Sequence, residues 1–213
     1  MSDNIDRIIY INLDYREDRK EEIEREIDKM DLNEKTERFR GIRVVDQGIL
    51  GCTKSHLAVL KLAKERGYKN VLILEDDFEF VVSKEEFESE LTTFFESGID
   101  YDVCMLSYLL KEETETETET EETETNDQNV KKVLEAQTAS GYLVNAKYYD
   151  TIIGLYEWAW PLLESTKAHW LYANDQCWKT LQKKDNWYYF ANRLGKQRAS
   201  YSDNSMTYMD YGK

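Results

Sequence analysis

The pattern of apolar and polar residues changes along the chain between two periods, one typical of strands and one typical of helices. Residues 7–14 are mostly apolar and β-branched, which predicts a first strand. In residues 15–30, apolar side chains recur at i, i+4 and i+7 from Ile23, so this segment is predicted to be a helix with one buried face. The four consecutive apolar residues 71–74 predict a short strand that is buried on both sides.

The same alternation continues to the end of the chain. Further strands are predicted at 39–45, 101–108, 130–137 and 141–145, and further helices at 52–66, 83–97, 146–158 and 174–181. Gly48 and Gly51 are expected to bracket a turn before the helix that begins at Cys52, and Gly67 is expected to end that helix. Strands that alternate with helices predict an α/β domain with a mixed sheet, mainly parallel in its first half.

Length and charge narrow the class of protein. A chain of 213 residues suits one domain, 1–213, with one sizeable core. The formal net charge is −15, and residues 112–127 contribute eight Glu and one Asp to it. A surface this acidic argues against nucleic-acid binding, which requires a basic footprint. The low-complexity segment 111–129 has no apolar side chain to bury and is predicted to be a surface loop, with a lid or docking tail as the alternative.

Targeting signals and cysteine usage indicate the compartment. The chain has no run near the ~20 apolar residues of a membrane span and no apolar signal-peptide stretch at its start. We therefore expect a cytoplasmic protein without a transmembrane segment. Cys52, Cys104 and Cys177 are far apart and odd in number, which predicts reduced thiols in the core rather than a disulfide or a metal motif.

Three carboxylates, Glu75, Asp76 and Asp77, directly follow the apolar run 71–74. Open α/β sheets bind ligands at the carboxyl ends of their strands, and adjacent carboxylates repel one another unless a cation lies among them. Mn²⁺ and Mg²⁺ both favour such oxygen ligands and often share them with substrate phosphates. The alternative is a strand that enters a solvated acidic turn, which is the default for an isolated acidic triplet.

Arg16 and Arg19 lie one helical turn apart, where the first predicted strand passes into the first predicted helix. Such a turn presents free backbone N–H groups to an anion, and the two guanidinium groups could add bidentate contacts to it. The alternative is a pair of surface arginines in salt bridges along a charged helix. His56 also has two interpretations, since a single helical histidine is more often a structural hydrogen-bonding residue than a catalyst.

Five short motifs, in this order, resemble those of glycosyltransferase family 25. They are Ile9-Tyr10-Ile11-Asn12-Leu13-Asp14 with Arg16 and Arg19, Gly51-Cys52-x-x-Ser55-His56, Leu72-Ile73-Leu74-Glu75-Asp76-Asp77, Gly141-Tyr142-Leu143-Val144, and Gln197-Arg198-x-x-Tyr201-Ser202-Asp203. Each motif alone is a weak signal, but together they span nearly the whole chain. The family includes bacterial lipooligosaccharide galactosyltransferases and collagen hydroxylysine galactosyltransferases.

The resemblance implies a fold, a donor and a type of reaction. The fold would be GT-A-like, the donor a UDP-sugar, and the cofactor Mn²⁺, with Mg²⁺ as the alternative. The reaction would transfer a hexose, galactose or glucose, with inversion at the anomeric carbon. The acceptor hydroxyl would belong to a glycan, a lipid-linked saccharide or a protein hydroxylysine. The insert at 111–129 has no counterpart in the family.

The motifs also suggest roles for individual residues. The candidate metal ligands are Asp77, Glu75 and Asp203. The candidate nucleotide-sugar-binding residues are Asn12, Leu13, Arg16, Arg19, Ser55, His56, Glu75, Asp76, Gly141, Tyr142 and Gln197. An inverting transfer requires a general base, for which Asp175 is the first candidate and Asp203 the second. Asp175 lies among aromatic residues that could stack on a sugar, although an Asp at a helix start often only caps its helix.

Two other functions stay open at the level of sequence. A degenerate module could bind a nucleotide sugar without turning it over, although drift would be expected to remove an unneeded acidic triplet. A nucleotide-sugar phosphohydrolase would also use a metal at the end of a strand. Product analysis with and without an acceptor would distinguish transfer from hydrolysis.

Overall fold

A computed structural model describes residues 4–112, 129–202 and 207–209. Their strands are β1 (Arg7–Asn12), β2 (Thr36–Arg40), β3 (Asn70–Glu75), β4 (Phe78–Phe80), β5 (Val103–Met105), β6 (Leu109–Glu112), β7 (Val130–Lys132), β8 (Glu135–Gln137), β9 (Gly141–Asn145), β10 (Trp187–Phe190), β11 (Gly195–Gln197), β12 (Ser200–Ser202) and β13 (Thr207–Met209). Their α-helices are α1 (Glu17–Lys29), α2 (Gly48–Glu65), α3 (Lys84–Glu96), α4 (Tyr149–Thr166), α5 (His169–Tyr172), α6 (Asn174–Cys177) and α7 (Lys179–Gln182), with 3₁₀ turns at Asn33–Lys35 and Ala146–Tyr148.

A seven-stranded sheet in the order β2-β1-β3-β9-β5-β10-β7 forms the centre of the fold. Both β2 and β3 pair with β1 in parallel, and β10 pairs with β5 in parallel. By contrast, β9 runs antiparallel to β3 and β5, and β7 runs antiparallel to β10. Five of the seven strands therefore run in one direction. The predicted α/β class with a mixed, mostly parallel sheet is confirmed.

The alternation of side chains along β3 explains why helices cover both faces of this sheet. Val71 and Ile73 lie in a core that includes residues of α2 and α4. Leu72 and Leu74 lie in a second core with residues of α1 and α3. All four side chains are fully buried, and burying a side chain of this size stabilises the fold by roughly 1.5–3 kcal/mol. The acidic residues at the end of β3 are thus attached to a strand whose apolar side chains are fully buried.

The second strand ends earlier than predicted. β2 stops at Arg40 rather than Val45, because its partner β1 ends at Asn12. The last backbone hydrogen bond between these two segments is the one that Gly41 N donates to Asn12 O over 2.9 Å. Beyond that point no β1 residue remains to pair with, so the β-branched residues up to Val45 do not form a strand.

The predicted turn at Gly48 and Gly51 was also wrong, because α2 begins at Gly48 and contains both glycines. A Cβ at Gly51 would lie 2.5 Å from the carbonyl oxygen of Ile42. The missing side chain therefore lets the start of α2 approach the segment 41–47 closely. Gly67 follows the helix with φ of +70°, the left-handed conformation expected of a glycine at a helix end.

The other predicted strands and helices differ from those of the structure by a few residues at their ends or by one interruption. The predicted strand 101–108 is reduced to β5, and the predicted strand 130–137 is two strands, β7 and β8, which pair in different sheets. The predicted helix 174–181 is interrupted at Trp178, whereas the predicted helix 146–158 continues to Thr166. β6 includes the first two residues of the predicted loop 111–129, most of which lies outside the described residues.

Phe78, directly after the acidic residues, fixes the spacing between three strands. A Cβ at Gly141 in β9 would lie 2.3 Å from its ring, and a Cβ at Gly195 in β11 would lie 2.0 Å from it. The ring therefore occupies the space that these two glycines leave free. Pairing of β11 with β4 then places Gln197 beside the acidic residues.

Candidate active site

A cleft of about 390 Å³ lies at the carboxyl ends of β1 and β3. Glu75, Asp76 and Asp77 line it at the end of β3, and we call these three residues the acidic wall. The start of α1, the segment 41–48 and the first turns of α2 provide most of the remaining lining. The cleft thus occupies the sheet edge at which α/β folds bind ligands.

Asp76 is held entirely by neighbouring side chains. Its Oδ1 accepts a hydrogen bond from Arg19 Nη1 over 3.0 Å, and its Oδ2 accepts one from Asn12 Nδ2 over 2.9 Å. Asn12 also donates to the backbone oxygen of Arg16. Burial raises the pKa of Asp76, while Arg19 and Asn12 act in the opposite direction. This carboxylate therefore ties the end of β3 to the turn between β1 and α1.

Asp77 has one oxygen with partners and one without. Its Oδ2 lies 3.0 Å from Gln197 Nε2 and 3.3 Å from Arg19 Nη1. Its Oδ1 is buried and has no hydrogen-bond partner among the described residues. Burial and the nearby charge of Glu75 raise the pKa of Asp77 to about 7, although Arg19 acts against them. A buried carboxylate oxygen without a partner is costly unless a ligand completes its coordination, so the residue fits a cation.

Glu75 is positioned by a chain of three buried or half-buried groups. Its Oε1 lies 2.9 Å from His56 Nε2 and 3.4 Å from Cys52 Sγ. The other ring nitrogen of His56, Nδ1, lies 2.8 Å from the hydroxyl of Tyr142. Burial alone would raise the pKa of Glu75, but the contacts with His56 outweigh it and the pKa is lowered. Glu75 is therefore a fixed negative charge in the cleft.

Three arginines, Arg16, Arg19 and Arg43, bring positive charge to the same cleft. Burial alone would lower the pKa of Arg19, but the charges of Asp77 and Asp76 outweigh it and the pKa is raised. Arg16 forms two hydrogen bonds with the carboxylate of Asp18. Arg43 stacks over Tyr15 at 4.9 Å from the ring centroid. Guanidinium groups beside carboxylates suit an anion that carries a bound cation, because the arginines can bind the anion while the carboxylates bind the cation.

Most of the predicted binding and metal residues lie together. Those that line the cleft are Leu13, Arg16, Arg19, Ser55, His56, Glu75, Asp76, Asp77 and Gln197. Asn12, Gly141 and Tyr142 do not belong to the described lining. Asn12 and Tyr142 are buried behind it, where they hold Asp76 and His56, and Gly141 makes room for Phe78. Asp203 lies outside the described residues.

Asp175, the first candidate for the base, lies in α6 and does not belong to the described lining of the cleft. Its Oδ2 accepts a hydrogen bond from Thr138 N over 3.2 Å. No side-chain hydrogen bond caps α6, whose N-cap is Ala173. Burial and the charge of Glu75 raise the pKa of Asp175, against the bond from Thr138. The neighbouring Asn174 connects α6 to the cleft, since its Oδ1 lies 3.8 Å from Cys52 Sγ.

Sequence reasoning missed two parts of the cleft. Cys52 was interpreted as a core thiol, as Cys104 and Cys177 are, but it lines the cleft. Its position four residues before His56 places both on one helix face, and that spacing was the available signal. The ligand atoms of Cys52, His56 and Glu75 lie within 4.8 Å of one another, a spacing that would also suit a metal ion. The second part is the segment 41–48, which was interpreted as strand and turn.

Several solved structures show a slight likeness to this chain. A197 from STIV is 12% identical with a TM-score of 0.46, over 86% of this chain and 81% of that one. The glycosyltransferase GlyE of Streptococcus pneumoniae TIGR4 is 10% identical with a TM-score of 0.47, over 88% of this chain and only 45% of that one. A glycosyltransferase involved in glycosylation of the major capsid of PBCV-1 is 10% identical with a TM-score of 0.44, over 92% and 84%. At these scores the likenesses carry no functional argument.

Sequence comparison gives the decisive result. Among the curated proteins, none matches the chain. Within the described residues, no helix combines the length and apolar character needed to cross a membrane. Residues 29–178, well over half of the chain, match the model of the family described as "Glycosyltransferase family 25 (LPS biosynthesis protein)". The match includes three of the five motifs, those at 51–56, 72–77 and 141–144. The resemblance to this family is thereby confirmed, and the chain belongs to glycosyltransferase family 25.

Proposed function

We propose that this glycosyltransferase moves a hexose, galactose or glucose, from a UDP-sugar to an acceptor hydroxyl with inversion at the anomeric carbon. The observation that carries the proposal is the cleft at the end of β3, where the acidic wall meets Arg16 and Arg19. A nucleoside diphosphate is an anion that binds arginines directly and carboxylates through a divalent cation. The family to which the chain belongs supports a sugar donor for this site.

A divalent cation, Mn²⁺ or Mg²⁺, fits the acidic wall. Asp77 would hold it through Oδ1, the buried oxygen that has no partner among the described residues. Glu75 is a second candidate ligand because it lies in the same cleft as a fixed negative charge. Once bound, such a cation would supply positive charge against the departing diphosphate. Asp203 is a third candidate ligand, outside the described residues.

The transfer itself requires one bond to form and one to break. The acceptor oxygen bonds to the anomeric carbon while the bond from that carbon to the diphosphate oxygen breaks, and UDP leaves with the electron pair. Arg16 and Arg19 would bind the negative charge that develops on UDP. His56 and Tyr142 would keep Glu75 in place during this step, because they hold one of its oxygens through buried contacts.

The acceptor hydroxyl must lose its proton as the new bond forms. Asp175 is the first candidate for this base, because its raised pKa moves it towards neutral pH, where a general base is most effective. It would have to reach the acceptor from α6, next to Asn174 and Cys52. Asp203 is the second candidate.

The test is a screen of UDP-galactose, UDP-glucose and other UDP-sugars with Mn²⁺, followed by product analysis with and without acceptor. We expect slow release of UDP from one hexose donor alone and faster transfer when an acceptor is present. Chelation of the cation with EDTA should stop both reactions. The Asp150→Asn variant is a suitable control, since Asp150 is an exposed residue of α4 that pairs with Lys64.

Three outcomes would contradict the proposal in different ways. Binding of UDP-sugars without any turnover would indicate a binding module. Hydrolysis that no acceptor converts into transfer would indicate a phosphohydrolase. Full activity in EDTA would indicate a glycosyltransferase that requires no cation and neutralises the diphosphate of the donor with its arginines alone.

A further inference from the structure

The aromatic residues between 158 and 190 differ widely in exposure. Trp178 and Trp187 are fully buried and belong to the core. Trp158 is 57% exposed and Trp170 is 63% exposed, and Leu171 beside them is 53% exposed. We call Trp158, Trp170, Leu171 and Tyr172 the aromatic patch. It lies on α4 and α5, outside the cleft described above.

Two contacts fix α5 next to the cleft. At the end of α4, Lys167 Nζ donates a hydrogen bond to Gln47 Oε1, and Gln47 directly precedes the first residue of α2. After α5, Asn174 contacts Cys52 on the same helix. Cys52 belongs to the cleft lining, and Gln47 lies between Asp46 and Gly48, which also belong to it. The short helix between them, which carries Trp170, is therefore held beside the cleft at both of its ends.

Each exposed tryptophan contacts a second ring. Trp158 meets Tyr172 edge-on, with ring centroids 5.6 Å apart and an angle of 72° between the planes. Trp170 meets His169 in the same way, at 5.2 Å and 81°. A side chain that already packs against a neighbour has less conformational entropy to lose when a ligand binds. Exposed apolar side chains that are grouped mark an interaction site more often than single ones do.

Charge around the patch favours a neutral ligand. Glu157 pairs with Lys61 at 2.6 Å, and Glu164 pairs with Lys54 at 3.2 Å. These two lysines of α2 are thus paired with glutamates of α4, unlike the lysines and arginines with which proteins bind anionic membranes. An uncharged saccharide suits such a surface, because its C–H face packs against the negative face of an aromatic ring while its hydroxyls stay in water.

We propose that the aromatic patch binds a saccharide acceptor and presents it to the cleft, with Trp158 and Trp170 as the stacking surfaces. This inference rests on the proposed hexosyl transfer and selects a glycan over a protein hydroxylysine as the acceptor. It assigns the donor to the acidic wall and the acceptor to α4 and α5. Each stacked ring should change acceptor affinity by about 2- to 10-fold.

Binding can be measured without relying on turnover. The protein would be labelled with 5-fluorotryptophan, its resonances assigned with Trp→Phe variants, and lactose, cellobiose and N,N′-diacetylchitobiose titrated in turn. We expect saturable shifts of the Trp158 and Trp170 resonances with at least one disaccharide, while those of Trp178 and Trp187 stay in place. The absence of a saturable shift at Trp158 and Trp170 with all three sugars would overturn the inference.

A matched variant separates a saccharide surface from other apolar surfaces. Leu171→Ala should leave the titration unchanged, because an aliphatic side chain offers no ring face. The Trp158→Ala, Trp170→Ala double variant lacks both reporting resonances, so its sugar binding is followed on the resonances of the sugar and should weaken by about 4- to 100-fold. Phosphatidylcholine vesicles and a hydroxylysine peptide serve as competing probes. Tryptophan shifts with either of these but not with the sugars, or an equal requirement for Leu171, would contradict a saccharide site.

Kinetics then connect the patch to the transfer reaction. With a saccharide acceptor, the double tryptophan variant should raise the KM for the acceptor by about 4- to 100-fold, the product of the two single effects. Release of UDP from the donor alone should be unchanged. Donor turnover with an unaltered acceptor KM would reject the patch and leave the proposed function intact. A complete lack of donor turnover would reject the proposed function instead, and the fluorine titration would still decide whether the patch binds sugars.

Discussion

The acidic wall contacts α2 through Cys52 and His56, and the aromatic patch lies on α4 and α5, of which α4 packs against α2. The two regions differ in how their side chains are held. Each carboxylate of the acidic wall contacts named partners that are themselves buried or half-buried. The two tryptophans of the aromatic patch are more than half exposed and contact mainly other rings. The acidic wall is a network of interacting charges with little exposure to water. The aromatic patch is an exposed apolar surface on which a ligand could pack.

This difference sets how strongly each region should respond to a substitution. Charges with few water contacts interact strongly, so that the loss of one changes its neighbours as well. Stacking surfaces contribute additively and moderately. We therefore expect changes of orders of magnitude at the acidic wall and changes of several-fold at the aromatic patch. The predictions below test this comparison, beginning with the largest effect.

Asp77→Asn preserves shape and removes one charge. It should lower cation-dependent turnover of the UDP-sugar by about 10³-fold or more, because a bound cation contributes several kcal/mol of stabilisation to the leaving group. The melting temperature should not fall, since the buried charge is costly in the absence of a cation. Activity within a few-fold of the wild type, with Asp150→Asn as the reference, would remove Asp77 from the metal site and weaken the contrast between the two regions.

Asp175 lies on α6, which follows the aromatic patch, and the charge of Glu75 helps to raise its pKa. If it is the base, Asp175→Asn should slow transfer by about 10²- to 10⁴-fold while UDP still binds in the presence of Mn²⁺. The Asn side chain can still accept the hydrogen bond from Thr138 N, so the fold should be preserved. Rapid-quench measurement of the transfer step provides the test. Transfer near the wild-type rate would direct the search to Asp203.

The pH dependence of cation binding should reveal the raised pKa of Asp77. A proton and a cation compete for this carboxylate, so Mn²⁺ affinity should fall by about tenfold per unit below the pKa of about 7 and level off above it. In the absence of cation, the folded state holds this proton more tightly than the unfolded state does. Stability should therefore decline as the pH rises from about 4 to 7. A flat affinity profile below pH 7 in a Mn²⁺ titration would contradict the competition.

The smallest effect is expected for the acidic insert. Replacement of residues 112–127 by a short Gly-Ser linker should change the free energy of unfolding by about 1 kcal/mol or less, because loop-closure entropy varies slowly with length. Release of UDP from the donor should continue at a similar rate. Thermal unfolding of the two chains gives the comparison, and a large fall in melting temperature would show that the insert contributes to packing.

Local patterns were sufficient to predict the acidic wall. The apolar run before Glu75 and the carboxylates after it are consecutive in the chain, so strand and cluster could be inferred together. The bond that Glu86 N donates to Ser83 Oγ at the start of α3, over 3.1 Å, is equally local. Interactions of this kind span a few residues and depend on spacing alone.

Long-range contacts could not be predicted in this way. Gln197 lies 120 residues beyond the Asp77 carboxylate that it contacts, and Tyr142 lies 86 residues beyond His56. The insertion of β9 between β3 and β5 likewise depends on pairing between distant strands. Burial was the other missing information, since the sequence does not distinguish the exposed Trp170 from the buried Trp178. The sequence thus indicated aromatic residues that could stack on a sugar, and the structure shows which of them are exposed.

The position of Phe78 between Gly141 and Gly195 has a consequence for how this site can evolve. The three residues share one volume, so an enlargement at either glycine is tolerable only if the ring becomes smaller at the same time. Since Phe78 directly follows Asp77, each such exchange would move this candidate metal ligand as well as the core. Substitutions at these three positions should consequently occur together, each compensating for the change in volume of another. A library that varies one of the three positions at a time would contain mostly inactive sequences.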